Sequence, residues 1–204
     1  MTLKLLLGGA RSGKSSLALS IAGSLGLPVT FLATAEALDG EMAERIARHR
    51  AERAAGWETI EEPVELGSVL ARVDPDRAVV LDCLTVWVSN LVLQDVDGDE
   101  IVERAGGVAA LASRRPGPVV VVSNEVGSGI VPADSLSRRY RDTLGRVNAT
   151  FAAEAAEAYL VVAGRLLELS RPETSKRVET SKRVETSKWV ETSKWVETSK
   201  WGRE

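Results

Sequence analysis

The residues Gly8–Ser15 read GGARSGKS and follow an apolar run, Leu3–Leu7. They fit the pattern G-x-x-x-x-G-K-[ST], in which the backbone N–H groups of a glycine-rich loop surround a polyphosphate. Lys14 would bridge the outer phosphates, and the Ser15 hydroxyl would bind magnesium. A helix that begins near Lys14 would add the positive end of its dipole. A plain glycine-rich turn is the alternative, but strand, loop and helix follow in the order that the motif requires, so the stretch predicts a nucleoside triphosphate site.

A second group of candidate residues lies on the predicted helix Asp39–Ala55. His49, the only histidine of the chain, is four residues before Arg53, so the two share one helical face. Arg48 and Arg50 flank His49, and these positive charges favour the uncharged imidazole. A neutral imidazole is a competent nucleophile, and arginines neutralise the phosphates that it would attack. Taken alone, however, the spacing favours a solvated Arg/Glu helix without chemistry.

Two carboxylates end predicted strands and are candidates for contact with a metal or a hydroxyl group. Asp82 closes the apolar run Ala78–Asp82, where phosphate-loop proteins commonly place the acid that holds magnesium or its water. It fits equally well as the N-cap of the helix predicted to begin at Leu84. Glu125 follows the valines Val119–Val122 in a polar, glycine-rich stretch, which suits a substrate loop and a plain connection equally.

The elements that must position these residues alternate between strands and helices. Short apolar runs predict strands, and stretches with helical periodicity predict helices between them. The predicted strands are Leu3–Leu7, Val29–Ala33, Trp57–Pro63, Ala78–Asp82, Val119–Val122, Tyr159–Ala163 and Leu166–Leu169. The predicted helices are Ser16–Leu25, Asp39–Ala55, Val64–Val73, Leu84–Leu93, Asp97–Ala112 and Ala133–Ala158.

This alternation predicts an α/β fold with five to seven strands, mainly parallel, and helices on both faces of the sheet. Ligands bind at the carboxyl ends of such strands, so Thr34 and Ala35 are expected beside the phosphate loop. Gly106 and Gly107 are expected to break or fray one helix, and the last helix is expected as one piece or as two joined near Gly145.

Composition narrows the classes of function. The chain has 204 residues, 44% of them apolar, and a formal charge of −3. Residues 171–204 carry nine Lys and Arg against six Glu, so residues 1–170 carry −6, which argues against general nucleic-acid binding. Cys83 is the only cysteine, so an intramolecular disulfide is excluded. The first residues are too short an apolar segment for a signal peptide or a membrane span, and we expect a cytoplasmic protein.

Residues 171–204 repeat a six-residue unit, as in RVETSK and WVETSK. A period of six gives no continuous helical stripe, because six residues advance about 600° along a helix. One valine and at most one tryptophan per unit bury too little apolar surface to offset the entropy of ordering. We therefore predict a nucleotide-binding domain at 1–170 and a low-complexity, non-catalytic tail at 171–204, with an interaction arm as the alternative for the tail.

Several stretches together resemble one family, the bifunctional adenosylcobinamide kinase / adenosylcobinamide-phosphate guanylyltransferases of cobalamin biosynthesis. The matching stretches are Gly8–Ser15, Ala33–Arg53, Trp57 with Thr59–Pro63, Asp82–Leu91, Ser123–Pro132 and Arg138–Asn148. They occur in the family's order over nearly all of residues 3–169, whereas the repeat tail is not part of the family's pattern. The resemblance implies a P-loop NTPase-like (RecA-like) fold and assembly into a trimer.

The resemblance also implies two reactions and the residues for them. A nucleoside triphosphate, ATP or GTP, phosphorylates adenosylcobinamide. A histidine then takes GMP from GTP and passes it to adenosylcobinamide phosphate. Mapped onto this chain, the nucleophile is His49 and the phosphate-loop lysine is Lys14, while Ser15 and Asp82 hold Mg²⁺. The implied nucleotide contacts are Gly8, Gly9, Ala10, Arg11, Ser12, Gly13, Lys14, Ser15, Ala33, Thr34, Ala35, Arg50, Ala51, Glu52, Arg53, Glu61 and Asp82.

Two other functions fit parts of the sequence. A phosphate-loop kinase or ATPase without nucleotidyl transfer would use Lys14, Ser15 and Asp82 and leave His49 without a role. A nucleotide-binding module would use the tail to recruit a partner. A lone histidine within an arginine-rich helix favours the bifunctional transferase, because a plain kinase has no need of it.

Overall fold

Seven strands form a single sheet in the computed structural model of this chain, which describes residues 3–37, 40–51 and 53–171. The strands are β1 Leu3–Gly8, β2 Val29–Ala33, β3 Glu58–Glu61, β4 Ala78–Asp82, β5 Val119–Asn124, β6 Glu157–Val162 and β7 Arg165–Glu168. Their order across the sheet is β3-β2-β4-β5-β1-β6-β7. All neighbouring pairs are parallel except β6 and β7, which form an antiparallel edge.

Six helices connect the strands: α1 Lys14–Ser24, α2 Gly40–Ala51, α3 Leu66–Arg72, α4 Leu84–Leu93, α5 Gly98–Arg114 and α6 Ser135–Glu154. One face of the sheet packs against α3 to α6, around fully buried side chains such as Trp87 and Phe151. The other face packs against α1 through Ala18 and Ala22. The central strands are buried on both faces, which is why they read as unbroken apolar runs in the sequence.

The predicted α/β fold of the P-loop NTPase type is therefore confirmed: a mainly parallel sheet has helices on both faces, and β1, a glycine loop and α1 follow one another. Several boundaries differ from the predictions. Helix α2 ends at Ala51 rather than Ala55, and its predicted start, Asp39, lies outside the described residues. The predicted tail also lies outside them, except for Arg171.

The predicted break at Gly106 and Gly107 is wrong, whereas the last helix is one piece, one of the two forms expected. Helix α5 continues through Gly106 and Gly107, because its buried stripe packs on α6 and outweighs the cost of about 1 kcal/mol per glycine. Helix α6 is unbroken at Gly145, but it ends at Glu154 instead of Ala158. The alanine-rich segment after it joins β6, since Ala158 pairs with Leu5 of β1 and is buried there.

The register of the sheet brings the predicted site residues together at the carboxyl ends of the parallel strands. Ala33 of β2 pairs with Glu61 of β3 on one side and with Asp82 of β4 on the other. Gly8, the last residue of β1, pairs with Asn124 of β5. The phosphate loop therefore leaves the middle of the sheet, beside the carboxyl ends of the neighbouring strands. Within the described residues, no helix is long and apolar enough to cross a membrane.

Candidate functional site

The glycine loop between β1 and α1 has a backbone that side chains would obstruct. A Cβ atom at Gly8 would lie 2.3 Å from the carbonyl oxygen of Val161, so only glycine allows β1 to pass this close to β6. Gly13 has a φ of 98°, in the left-handed region, where it forms the N-cap of α1. The loop is tied to the turn after β6 by the N–H of Gly164, which donates to Ser12 O at 2.9 Å.

Lys14 lies inside this loop. Its Nζ donates to Gly8 O at 3.0 Å, to Gly9 O at 2.6 Å and to Ser12 Oγ at 3.3 Å, and the side chain is buried. The ammonium group thus lies at the N-terminus of α1, which is the positive end of the helix dipole. This arrangement concentrates positive charge where the sequence predicts polyphosphate binding.

Asp82, at the end of β4, faces the same loop. The Ser15 hydroxyl donates a hydrogen bond to its carboxylate, and Lys14, His49 and Arg53 are close enough to act on its charge. Burial raises the pKa of Asp82, more than this hydrogen bond and the positive charges lower it. The N-cap of α4 is Cys83, so the alternative role of Asp82 as an N-cap is not what the structure shows.

The donor set at this point fits magnesium. A serine hydroxyl and a buried carboxylate are hard oxygen ligands, and Mg²⁺ in nucleotide sites takes one or two protein oxygens together with phosphates and waters. A divalent cation would also offset the cost of burying the Asp82 charge. Among the described residues, no group of three or more His, Cys, Asp or Glu side chains could form a metal site by itself.

A pocket lies between α2 and the ends of β2 and β4. It is lined by Phe31, Ala33, Ala35, Ile46, His49, Arg53, Asp82, Cys83 and Val86. His49 therefore shares one pocket with Asp82, although α2 and β4 are separate in the sequence. The lining combines charged and polar side chains with apolar ones, which suits a ligand that has both an anionic group and an apolar ring.

Two nucleophilic side chains line this pocket, Cys83 and His49. Burial, and then the neighbouring charge of Asp82, raise the pKa of the Cys83 thiol to about 11. A thiol attacks as the thiolate, so Cys83 is inert at neutral pH. His49 is thus the side chain in the pocket that is suited to nucleophilic attack.

Arginines close the pocket on the side of β3. The guanidinium carbon of Arg53 lies 3.7 Å from the centre of the Phe31 ring, and Arg53 Nη1 donates to Thr59 Oγ1 at 2.9 Å. Burial, followed by the charge of Arg50, lowers the pKa of Arg53. Arg50 forms an exposed ion pair with Glu61. Arg53 is therefore half-buried close to Asp82, whereas Arg50 and Glu61 lie at the surface.

The side chain of Thr34 is hydrogen-bonded inside the protein and does not reach the surface of the site. It is fully buried, and its Oγ1 accepts from Cys83 N at 2.9 Å and donates to Cys83 O at 2.8 Å. Its own N–H donates to Asp82 O at 3.2 Å. Thr34 thus supports the cis peptide between Asp82 and Cys83 from inside the protein, and its predicted nucleotide contact stays a prediction.

The remaining predicted residues lie at the edges of the site. Gly9, Ala10 and Arg11 are exposed on the phosphate loop, Ala51 is exposed at the end of α2, and Glu52 lies outside the described residues. Glu125 donates its backbone N–H to Gly8 O at 3.0 Å, while its carboxylate accepts from Gly127 N at 2.5 Å. The chain at Glu125 therefore adjoins the phosphate loop, and its carboxylate stabilises its own turn.

The sequence analysis did not single out the polar side chains that support these strand ends. Asn90 of α4 donates to Thr34 O, Thr85 accepts from Asn124 N at 2.7 Å, and Asn148 of α6 donates to Asn124 O at 3.0 Å. All three lie on helices and face the sheet. Their polar character within apolar helical faces was the available signal, because a buried amide or hydroxyl needs partners.

Comparison with known proteins agrees with this site. A family model described as cobinamide kinase / cobinamide phosphate guanyltransferase matches residues 4–169. A bifunctional adenosylcobalamin biosynthesis protein, CobP of Pseudomonas aeruginosa, is 44% identical over 161 residues, which cover 78% of this chain and 92% of CobP. CobU of Escherichia coli, with the same description, is 42% identical over 173 residues, covering 78% of this chain and 95% of CobU.

Solved structures with a similar fold are more distant. A RadB recombinase gives a TM-score of 0.43 at 18% identity, over 78% of this chain and 73% of that chain, a likeness too weak to bear on function. The family model and the curated relatives confirm the resemblance seen in the separate sequence stretches. The chain therefore belongs to the cobinamide kinase / cobinamide phosphate guanylyltransferase family of bifunctional transferases.

Proposed function

We propose that this protein phosphorylates adenosylcobinamide and then transfers GMP from GTP to adenosylcobinamide phosphate, through a guanylylated His49. The observation that carries the proposal is that His49 shares one pocket with Asp82 and Arg53, next to the phosphate loop. A phosphate loop alone would support only nucleotide binding. An imidazole in the same pocket adds a nucleophile that can attack the bound nucleotide.

The guanylyl transfer takes two steps at one phosphorus atom. An imidazole nitrogen of His49 attacks the α-phosphorus of GTP, a nitrogen–phosphorus bond forms, and the bond to pyrophosphate breaks. A phosphate oxygen of adenosylcobinamide phosphate then attacks the same phosphorus, and the bond to His49 breaks. The product is adenosylcobinamide-GDP, and His49 is restored. Two steps allow two bulky substrates to use one reaction centre in turn.

The other residues of the pocket bind and orient the nucleotide. Lys14 and the N–H groups of the glycine loop hold the phosphates, and Arg53 neutralises the charge that develops during attack. Ser15 and Asp82 would hold Mg²⁺, which when bound neutralises phosphate charge and orients the leaving pyrophosphate. Phe31 and Val86 add apolar surface to the pocket that His49 lines.

The kinase reaction uses the same phosphate loop. The hydroxyl oxygen of adenosylcobinamide attacks the γ-phosphorus of ATP or GTP, and the bond to the nucleoside diphosphate breaks. Asp82 and Glu125 are the two carboxylates at strand ends beside the loop, and they are the candidates to accept the hydroxyl proton. Positioning and charge neutralisation supply most of the catalysis in such transfers.

The test is to incubate the protein with Mg²⁺ and GTP labelled at the α-phosphate, denature it, and locate the label by peptide mass. We expect an acid-labile, base-stable label on the peptide that contains His49. His49→Ala should lose the label, while Glu44→Ala, an exposed residue on the same helix, should keep it. Label that survives His49→Ala, or GTP binding without any label, would contradict the covalent mechanism and favour a plain kinase.

We also propose that the protein forms a trimer, lies in the cytoplasm and has no nucleic-acid partner. For the trimer, the support is the family resemblance together with two exposed apolar side chains, Ile130 and Val131, which are 97% and 61% exposed and could form an interface between subunits. GTP and ATP are cytoplasmic substrates, and the acidic body disfavours nucleic acid. Light scattering should give a mass of three times 21.9 kDa; a monomer at micromolar concentration would contradict the trimer.

A further inference from the structure

We propose that Asn90 is a positioning residue for guanylyl transfer, which holds the ends of β2 and β3 in the spacing that GTP requires. This inference rests on the proposed function, because it concerns the segments Ala33–Ala35 and Glu61 as nucleotide contacts. Asn90 itself lies on α4 and is not among the residues that line the His49 pocket. Its effect on the reaction is therefore indirect.

One nitrogen atom of Asn90 joins two strand ends. Its Nδ2 donates to Thr34 O at 3.0 Å and to Pro63 O at 3.1 Å. Thr34 follows β2 directly, and Pro63 lies two residues after β3. The amide therefore bridges two neighbouring strands at the point where both chains leave the sheet.

The strand backbones do not supply these hydrogen bonds themselves. The last backbone bond between the two segments runs from Glu62 N to Ala33 O, at 2.9 Å. Beyond it, Thr34 N–H donates to Asp82 O on the other side of β2. The side chain of Asn90 provides the two donors that join the carbonyls of Thr34 and Pro63, so it extends the link between the two segments past the last backbone bond.

Thr34, whose carbonyl oxygen accepts a hydrogen bond from Asn90, is itself hydrogen-bonded to the backbone of Asp82. Thr34 N–H donates to Asp82 O, and Thr34 Oγ1 bonds both the N–H and the carbonyl of Cys83. A continuous chain of hydrogen bonds thus runs from Pro63 through Asn90 and Thr34 to Asp82. Trp87, one turn earlier on α4, reinforces it by donating Nε1–H to Val64 O at 2.8 Å.

This chain fixes the positions of groups that the nucleotide must meet at once. Ala35 and Asp82 line the His49 pocket, and Glu61 is paired with the arginine that follows His49. A displacement of about 1 Å among such groups can reduce a reaction rate about 100-fold. Loss of the Asn90 amide should therefore weaken the productive binding of GTP without touching the nucleophile.

Asn148 provides a matched control in the same protein. It is 5% exposed against 9% for Asn90, it also lies on a helix, and its Nδ2 also donates to a strand-end carbonyl, Asn124 O. Its Oδ1 accepts from the Ser123 hydroxyl at 2.7 Å. Asn148 thus supports the end of β5, which does not line the His49 pocket. The two asparagines make similar contacts at different strand ends.

The experiment measures guanylylation of the protein by α-labelled GTP, without the corrinoid, over a range of GTP concentrations. In Asn90→Leu, which removes both donors and keeps a similar volume, we expect the GTP concentration for half-maximal rate to rise about tenfold. In Asn148→Leu, which loosens the end of β5 beside Gly8 but leaves the ends of β2 and β3 tied, we expect a smaller rise than in Asn90→Leu. The Tm of both variants is measured alongside, since both lose hydrogen bonds to buried carbonyls.

A general loss of stability predicts a different result from a positioning role. If both variants raise the half-maximal GTP concentration equally, or if neither does, the inference is wrong. Asn90→Asp, which keeps the shape but places a carboxylate against two carbonyl oxygens, serves as a second variant if Asn90→Leu does not fold. Failure of the wild type to be labelled would instead contradict the proposed function.

Discussion

The phosphate loop and helix α2 both lie close to Asp82, but they are built in opposite ways. The loop emerges from the middle of the sheet, and Lys14 and Gly8 are buried against its backbone and against β6. Helix α2 is peripheral: among the side chains that the structure describes there, Ile46 and His49 are half-buried and the others are exposed. The proposed phosphate-binding groups are thus part of the folded core, whereas the proposed nucleophile, His49, lies on a surface helix.

Because of this difference, substitutions in the two regions should have different effects on activity and stability. A substitution in the phosphate loop should reduce both nucleotide binding and the free energy of unfolding. A substitution at His49 should remove covalent chemistry and leave the free energy of unfolding within about 0.5 kcal/mol of the wild type, as is usual for surface positions. Variants that break this pattern would show that the two regions are less independent than their contacts indicate.

Lys14→Met should have the largest effect. It removes the charge that faces the phosphates, so the rate of guanylylation should fall about 1000-fold. It also removes the donor to Gly8 O and Gly9 O, which should lower the free energy of unfolding by about 1–2 kcal/mol. Labelling kinetics and thermal unfolding measure the two losses. An unchanged Tm would mean that the buried ammonium contributes nothing to the fold.

Asp82→Asn should separate activity from stability within the phosphate-binding region. The guanylylation rate should fall about 100-fold, because the magnesium ligand is lost. Stability without nucleotide or metal should be equal or higher, since burial raises the pKa of Asp82 and the variant has no charge to bury.

The pH dependence of this stability follows from the same shift. The folded protein binds the Asp82 proton more tightly than the unfolded chain, so the wild type loses stability as pH rises through the raised pKa. The advantage of Asp82→Asn should therefore be present at neutral pH and shrink towards about pH 4. Denaturant titrations at the two pH values measure it, and an advantage that grows at low pH would contradict the assignment.

Arg53→Lys should have a smaller effect on labelling. Arg53 lies after α2 and close to Asp82, but it is only half-buried. Lysine keeps the charge but loses the planar group that stacks on Phe31 and bonds Thr59. The GTP concentration for half-maximal labelling should rise about tenfold, the loss expected for a partly desolvated cation–π contact. Arg48→Lys, an exposed neighbour on α2, is the control and should change it less than twofold.

Removal of residues 172–204 should have the smallest effect. The family match ends at residue 169, and we propose that the repeat tail takes no part in either reaction. Labelling rate, half-maximal GTP concentration and Tm should all stay at the wild-type values. A loss of labelling in the shortened protein would assign the tail a role in the site.

The sequence was sufficient for the parts of the fold that depend on local signals. The phosphate loop, the buried strands and the order of strands and helices follow from spacing and apolar runs, and the structure agrees. Packing decided the rest. Gly106 and Gly107 are poor helix formers, yet α5 is held continuous by its contacts with α6. Ala158 is a good helix former, yet it lies in β6, where it pairs with Leu5 of β1 and is buried.

The site shows the same limit at the level of single residues. His49 was assigned through the family resemblance, since spacing alone favoured a solvated helix, and its place beside Asp82 depends on how α2 lies over the sheet. Thr34 was taken from a motif as a ligand contact, while its hydrogen bonds point inward to Cys83. Asn90 was not proposed at all, because nothing in its sequence neighbours indicates that two carbonyls will converge on it.

The closeness of Gly8 to Val161 has a consequence for the newly made chain. The phosphate loop is translated before its supports, which come from β5, β6 and the turn at Gly164. Domains fold as units during synthesis once their parts are available. A nascent chain therefore contains the motif before it contains the strands that support it. We expect nucleotide binding to arise only after the chain has been translated through the turn at Gly164.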